Sequence, residues 1–241
     1  MSLGPVRFSH LRAYGRSAMH GWHARTAHET PPTPAMQLGT AVHALLSGSR
    51  KVIGYNGVRR GKEYEAFVAD HAGYEILTIT DMQKAMAMAE AIQSNPLSAP
   101  LLKGVAESTR LFRWMGLDCR ATPDYIGDGY LTEVKTSNSS EPVKFTWHAL
   151  KLAYHAQMRL QQIAVGTRVP CFIVCVESAE PYPVTVFEID KRTLEIGEKL
   201  LVLWAERLKA SEEAKQFPPY SQSIFPLCAP EDFELDYEEA A

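Results

Sequence analysis

The chain has 241 residues, 46% hydrophobic and 22% charged, with a formal net charge of −3. This composition excludes a largely disordered chain, and the length suits one sizeable core. No apolar run reaches the roughly 18 residues of a membrane span, and no basic-then-apolar leader opens the sequence, so a cytoplasmic protein without membrane contact is the expectation.

The first 28 residues hold Arg7, Arg12, Arg16 and Arg25, four histidines and no acid, with Phe8, Tyr14 and Trp22 interleaved. Such a mixture suits phosphate contacts plus base stacking, and equally a solvated amphipathic segment. Residues 1–62 carry nine Lys or Arg, among them Arg59 and Arg60, against one acid, Glu29, whereas Glu231 to Glu239 contains six acids. The expected organisation is one domain over 1–241, with a basic arm at 1–35 facing a polyanion and an acidic tail at 221–241. Prolines 31, 32 and 34 close the arm. The spacing of Leu38, Val42 and Leu45 predicts a helix over Gln37–Leu46, and Gly- and Arg/Lys-rich residues 47–63 read as a loop. Thr80-x-x-Gln83 reads as a capping box opening a helix with Met82, Ala85, Met86, Ala89 and Ile92 on one face, stopped by Asn95-Pro96.

The period then changes. Strands are predicted at Thr109–Met115, Asp118–Ile126 and, after the turn Gly127-Asp128-Gly129, Tyr130–Thr136. A long helix over about Val143–Val165 follows, with Trp147, Lys151, Tyr154, Met158 and Val165 near one line. Strands Cys171–Val176 and Val184–Ile189 precede an amphipathic helix, Thr193–Lys209, striped by Leu194, Leu201, Trp204 and Leu208. Hairpins followed by a helical crossover predict an α/β (α+β) fold, one mixed sheet flanked by helices.

Cysteines 119, 171, 175 and 228 are too few and too scattered for a disulfide framework, and Cys171 and Cys175 read as small core residues. No tight Cys-x-x-Cys pair favours an iron–sulfur cluster. Chemistry concentrates at Pro123-Asp124 and Glu133-Val134-Lys135. Glu133 and Lys135, two apart on a strand, share a face. A hairpin symmetric about Asp128 sets Asp124 opposite Thr132, within one residue of Glu133. Two carboxylates and an ammonium then converge, and hard oxygen donors suit Mg²⁺, with Mn²⁺ as a substitute. Such a cation polarises a phosphate oxygen and acidifies water, while Lys135 orients or deprotonates the water or neutralises developing charge. The alternative is a surface salt-bridge group. A second acid-x-Lys, Glu213-Ala214-Lys215, has no Pro-Asp hairpin before it and serves as an internal control. No glycine-rich Gly-Lys-Ser/Thr loop is present, so no ATPase motor is expected.

Pro-Asp…Glu-x-Lys resembles the signature of the PD-(D/E)xK nuclease superfamily, and the resemblance is closest to its exonuclease VIII type, the RecE-like and RecB-like branch. It extends over Leu38-Gly39-Thr40-Ala41-Val42-His43, Cys119 to Ile126, Glu133-Val134-Lys135-Thr136 and Tyr154-His155-Ala156-Gln157, about Ser9 to Tyr220 in all. It implies a restriction-endonuclease-like αβββαβ core. It also implies that His43, Asp124, Glu133 and the Val134 carbonyl hold the metal, that Glu107 lies near it, and that Tyr154 and Gln157 contact DNA. Related helices often carry a Tyr where this chain has Gln161. The implied activity is Mg²⁺-dependent exonucleolytic hydrolysis of linear double-stranded DNA in phage-type recombination. The implied partners are DNA ends, a single-strand annealing protein and further copies of the chain in a closed ring. Alternatives are a catalytically silent nuclease-fold scaffold and a Cas4-like nuclease, which would need the iron–sulfur cluster.

Overall fold

The computed structural model describes residues 3–27 and 31–228; the acidic run 231–239 lies outside the described residues. Helices α1 (Phe8–Arg16) and α2 (Ala18–Thr26) build the basic N-terminal segment. Ser17 between them accepts a hydrogen bond from the His20 N–H and so caps α2. Leu11 and Tyr14 are fully buried and join a core with Leu201, Trp204, Ala205 and Leu208. The segment is therefore anchored by an apolar stripe, with Arg12 and Arg16 on its exposed side.

Helix α3 (Pro34–Ser47) starts on Thr33, whose hydroxyl accepts the Met36 N–H, and ends at Gly48 in the left-handed region, φ 67°. The predicted loop over 47–63 is not all loop. Strand β1 (Val52–Tyr55) lies in it and pairs in parallel with β2 (Glu75–Thr78), across α4 (Lys62–Asp70). All four β1 residues are half-buried, so no apolar alternation announces the strand. Helix α5 (Ile79–Ser94) is capped by Thr78, not Thr80: the Thr78 hydroxyl accepts the Asp81 N–H at 3.0 Å and donates to the Asp81 carboxylate. It ends at Asn95 as expected. Its buried face is Ala85, Met88, Ala89 and Ile92, and Met86 points outward.

Strands β3 (Val105–Ala106), β4 (Arg110–Trp114) and β5 (Leu117–Ala121) follow. The predicted strand 118–126 is two strands, because Thr122-Pro123-Asp124 separates β5 from β6 (Tyr125–Gly127); proline cannot donate to a ladder. β4 and β5 pair with each other as an antiparallel ribbon outside the central sheet, with Val6 bridging in parallel to Cys119 of β5, so the predicted strands do not all join one sheet. The central sheet adds β7 (Tyr130–Ser137), β8 (Cys171–Glu177) and β9 (Val184–Glu188) in the order β3-β6-β7-β8-β9. Only β7 and β8 run parallel, a mixed sheet as expected.

The predicted helix over 143–165 is also two elements, α6 (Pro142–Lys151) and α7 (Tyr154–Val165). Ala153 between them is left-handed, φ 58°, which ends one helix and re-aims the next. Helix α8 (Lys191–Ala214) closes the described fold, capped by Asp190. One sheet face packs Val134, Val174 and Val176 under α3 and α5, and the other packs Leu131 and Cys171 against Met158 of α7 and Leu194 of α8. Odd-numbered residues of β7 therefore look toward α7. Gly197 lets α8 approach α7 closely, since a Cβ there would lie 2.7 Å from the His155 carbonyl oxygen.

Candidate active site

Asp124 sits just after the proline break. Its backbone carbonyl accepts the Glu107 N–H at 2.9 Å, and its carboxylate Oδ2 accepts the Val134 N–H at 2.7 Å. The hairpin register differs by one residue from the expectation: Tyr125, not Asp124, pairs with Thr132, so Asp124 falls level with Glu133. The two-residue loop Asp128-Gly129, with Gly129 at φ 81°, sets that register.

Glu133 is only 4% exposed, held between the sheet and α7. Its Oε1 accepts from Lys135 Nζ at 2.6 Å and from Gln157 Nε2. Its Oε2 accepts from Gln161 Nε2 at 2.7 Å. Lys135 Nζ lies 3.4 Å from Gln157 Oε1 and 4.7 Å from the centre of the Tyr154 ring. From the other side, His43 places Nδ1 3.5 Å from Asp124 Oδ2. Gly39, one turn earlier on α3, permits this approach: a Cβ there would sit 3.3 Å from Thr136 Oγ1 on β7. Glu107 holds a left-handed backbone, φ 47°, and accepts from the Ser47 hydroxyl at 3.0 Å. His43, Glu107, Asp124, Glu133, Val134, Lys135 and Tyr154 all line one open cleft of about 640 Å³.

Burial, and then the charge of Glu133 across the strand pair, raise Asp124 to about 6, against the pull of His43, Lys135 and the Val134 N–H. Glu133 is held below the usual carboxylate range: burial pushes it up, but Lys135 and the Gln161 hydrogen bond outweigh that. Burial likewise pushes Lys135 down, and Glu133 and Asp124 outweigh it, so the ammonium is held charged. Tyr154 is raised by burial, with Lys135 and Arg12 opposing.

A buried carboxylate and a half-buried one burdening each other, with an imidazole beside them, form a donor set that fits a hard divalent cation. They are not pre-closed around one: among the described residues, no three His, Cys, Asp or Glu side chains gather as a metal site. Both Glu133 oxygens instead accept hydrogen bonds from Lys135, Gln157 and Gln161. For Val134 the contact at the site is its N–H on Asp124.

The residues expected at DNA divide. Tyr154 lines the cleft. Gln157 instead bonds Glu133 and Lys135, positioning the carboxylate. Arg12 is exposed, and Arg16 donates to the Tyr220 hydroxyl at 3.3 Å. Arg59 is engaged inside the fold, donating to the Gln37 side chain and the Ile76 carbonyl, while Arg60 is exposed. Gln161, read only as a departure from a family tyrosine, is the site residue that sequence reasoning missed. Two glutamines four apart on a helix otherwise facing core were the available signal. Cys119, Cys171 and Cys175 are buried free thiols on β5 and β8, with Cys171 and Cys175 pushed by burial to about 12.

The sequence profile of the family described as "PDDEXK-like domain of unknown function (DUF3799)" matches residues 8–225. A putative exonuclease from Eubacterium rectale superposes with a TM-score of 0.66 at 12% identity, covering 93% of this chain and 89% of that one. An alkaline exonuclease from Laribacter hongkongensis gives a TM-score of 0.43 at 16% identity, covering 88% and 92%. No protein with a curated description matches the sequence. The central mixed sheet flanked by helices is consistent with a restriction-endonuclease-like fold. No helix among the described residues is long and apolar enough to cross a membrane.

Proposed function

The chain belongs to the PDDEXK-like family DUF3799, and from that premise we propose that it is a nuclease hydrolysing DNA phosphodiester bonds from ends. The observation that carries the reading is the Glu133–Lys135 pair at 2.6 Å, its carboxylate buried and its ammonium half-buried, level with Asp124 and open to a cleft. A largely desolvated ion pair opposed by a second carboxylate is costly as mere structure. Asp124, Glu133 and His43 would hold a divalent cation, Mg²⁺ or Mn²⁺, which when bound supplies Lewis acidity toward a phosphate oxygen and water. Lys135, kept charged by Glu133, places an ammonium in the cleft to neutralise charge developing on the phosphoryl group. Tyr154 packs over that ammonium, and Gln157 and Gln161 hold Glu133 in place. Glu107 lines the same cleft and is a further carboxylate within it.

The finer reading is an exonuclease on linear double-stranded DNA in phage-type recombination, working as a closed homo-oligomer beside a single-strand annealing protein. It is supported by the resemblance to exonuclease VIII and by the physical need of a motorless exonuclease to stay on its track. Linear and circular duplex DNA incubated with Mg²⁺ test it: linear DNA degraded and circular DNA spared is the expected result. Cleavage of both would make the enzyme an endonuclease, and both left intact would leave a DNA-binding scaffold.

A further inference from the structure

Helix α6 presents two adjacent exposed stripes. Val143, Trp147 and Leu150 form an apolar one, with Trp147 71% exposed. Lys144, His148 and Lys151, all exposed, form a basic one beside it. The i, i+4, i+7 spacing puts each set on its own line of the helix. The basic stripe runs on the cleft side: the His148 ring meets Tyr154 edge-on at 6.3 Å, and Tyr154 in turn lies 4.7 Å from Lys135 Nζ. Residues 142–176 contain no Asp or Glu. The nearby acids lie elsewhere. Glu141 is turned onto the first amides of α6, and Glu188 and Asp190 face Thr146, Ala149 and Leu150 across a groove on the side of the helix away from the basic stripe.

We propose that this face of α6 is a single-strand platform, on which Trp147 stacks a DNA base while Lys144 and Lys151 hold flanking phosphates next to the cleft. The inference rests on the nuclease reading for its substrate. Its own warrant is the match between a two-stripe helix and an unpaired strand, which likewise has apolar base faces beside an anionic backbone. An exposed tryptophan gives any base a surface to stack on, and lysines one turn away supply charge without reading sequence. The continuous helix expected from the sequence would have put Trp147 in line with Tyr154 and Met158. The break at Ala153 instead starts α7 on a new line, and Trp147 is exposed on α6.

Fluorescence provides the test. The other tryptophans are packed: Trp22 stacks on Phe217, Trp204 is 8% exposed, and Trp114 is half-buried against the core. The full chain is titrated in EDTA with an oligodeoxythymidylate of roughly 12 nucleotides, inside the range that single-strand sites cover. Emission should be quenched on binding. Trp147→Ala should remove the quenching and raise Kd roughly 5- to 100-fold, while Trp147→Phe keeps most of the affinity. Lys144→Gln and Lys151→Gln should each lower the salt slope by about 0.7. Wild-type affinity and quenching in Trp147→Ala would overturn the platform. So would a variant that binds the oligonucleotide normally but shifts from oligomer to monomer, which would assign the stripe to a second copy. Hydrolysis of a chromogenic phosphodiester with Mn²⁺ reports the cleft separately, and Trp147→Ala should leave it unchanged. No hydrolysis by the wild type, with Trp147-dependent binding intact, would defeat the nuclease reading and keep the platform.

Discussion

Glu133-Val134-Lys135 and Glu213-Ala214-Lys215 share one pattern and have opposite fates. On β7, residues two apart point the same way, so Lys135 meets Glu133 at 2.6 Å beneath α7. At the end of α8, residues two apart lie on nearly opposite sides, and both Glu213 and Lys215 are exposed. Asp124 stands level with the first copy, and no ion pair or hydrogen bond joins Glu213 to Lys215. The acid-x-Lys pattern thus closes into an ion pair where a strand aligns its two side chains and burial raises the cost of leaving them unpaired.

The largest way to break this contrast is Lys135→Ala. Loss of a charge-neutralising group should lower the hydrolytic rate by about 10²- to 10⁴-fold, with DNA affinity near wild type. Glu133 would remain buried with only its glutamines, so stability should drop by roughly 3 kcal/mol. A variant that keeps the wild-type rate in a Mg²⁺ assay would remove Lys135 from the site.

Asp124→Asn comes next. In the metal-free protein the Asp124 carboxyl is raised to about 6. The folded state therefore holds this proton more tightly than the unfolded chain, where the pKa is about 3.9. The resulting stability is fully present below about pH 4 and is lost as pH rises through 6. Asn keeps an acceptor for the Val134 N–H and carries no charge. Activity should fall by a similar factor, yet in EDTA the variant should be the more stable protein at pH 8, by about 2–3 kcal/mol, with the difference closing toward pH 4. Parallel melting curves across that range would show that Asp124 does not carry the raised value.

Gln161 has a smaller effect. Gln161→Met removes one of three donors to a buried carboxylate, which should cost about 1–2 kcal/mol in chemical denaturation. Turnover should fall severalfold through a mispositioned Glu133, and Gln161→Asn, with the shorter reach, should not restore it. Full activity in both variants would make the Glu133–Gln161 bond incidental.

The strands carrying chemistry were legible because apolar periodicity and the Asp128-Gly129 turn fix β6, β7 and their hairpin locally. The register was misread by one residue, since symmetry about Asp128 places the pairing off the two-residue loop that the chain uses. β1 was invisible because its half-buried residues carry no alternation, and the α6–α7 break because nothing in Leu152-Ala153 signals a left-handed residue. His43 was placed by the family resemblance of Leu38 to His43, and the fold sets it beside Asp124 on a helix whose Gly39 packs close to Thr136. Gln161 was missed because an amide becomes a site residue only when tertiary packing sets it against a carboxylate. The hydrogen bonds of Arg59 to Gln37 and the Ile76 carbonyl were not legible, since charge composition does not say which guanidinium the fold engages.

The smallest effect belongs to the second copy, and it separates pattern from position most cleanly. Lys215 caps α8 in the left-handed region at φ 52°, fully outside the cleft lining. A side chain there costs about 1 kcal/mol in steric strain that glycine does not carry, partly offset by the greater freedom of glycine in the unfolded chain. Lys215→Ala keeps the Cβ and should leave both activity and stability within about 0.5 kcal/mol of wild type. Lys215→Gly should leave activity unchanged and raise the melting temperature by about 1–3 °C, as expected for a gain of under 1 kcal/mol in a chain this size. A fall in DNA hydrolysis in either variant would mean that the second acid-x-Lys has a function its exposure does not suggest, and that strand geometry is not what distinguishes the two copies.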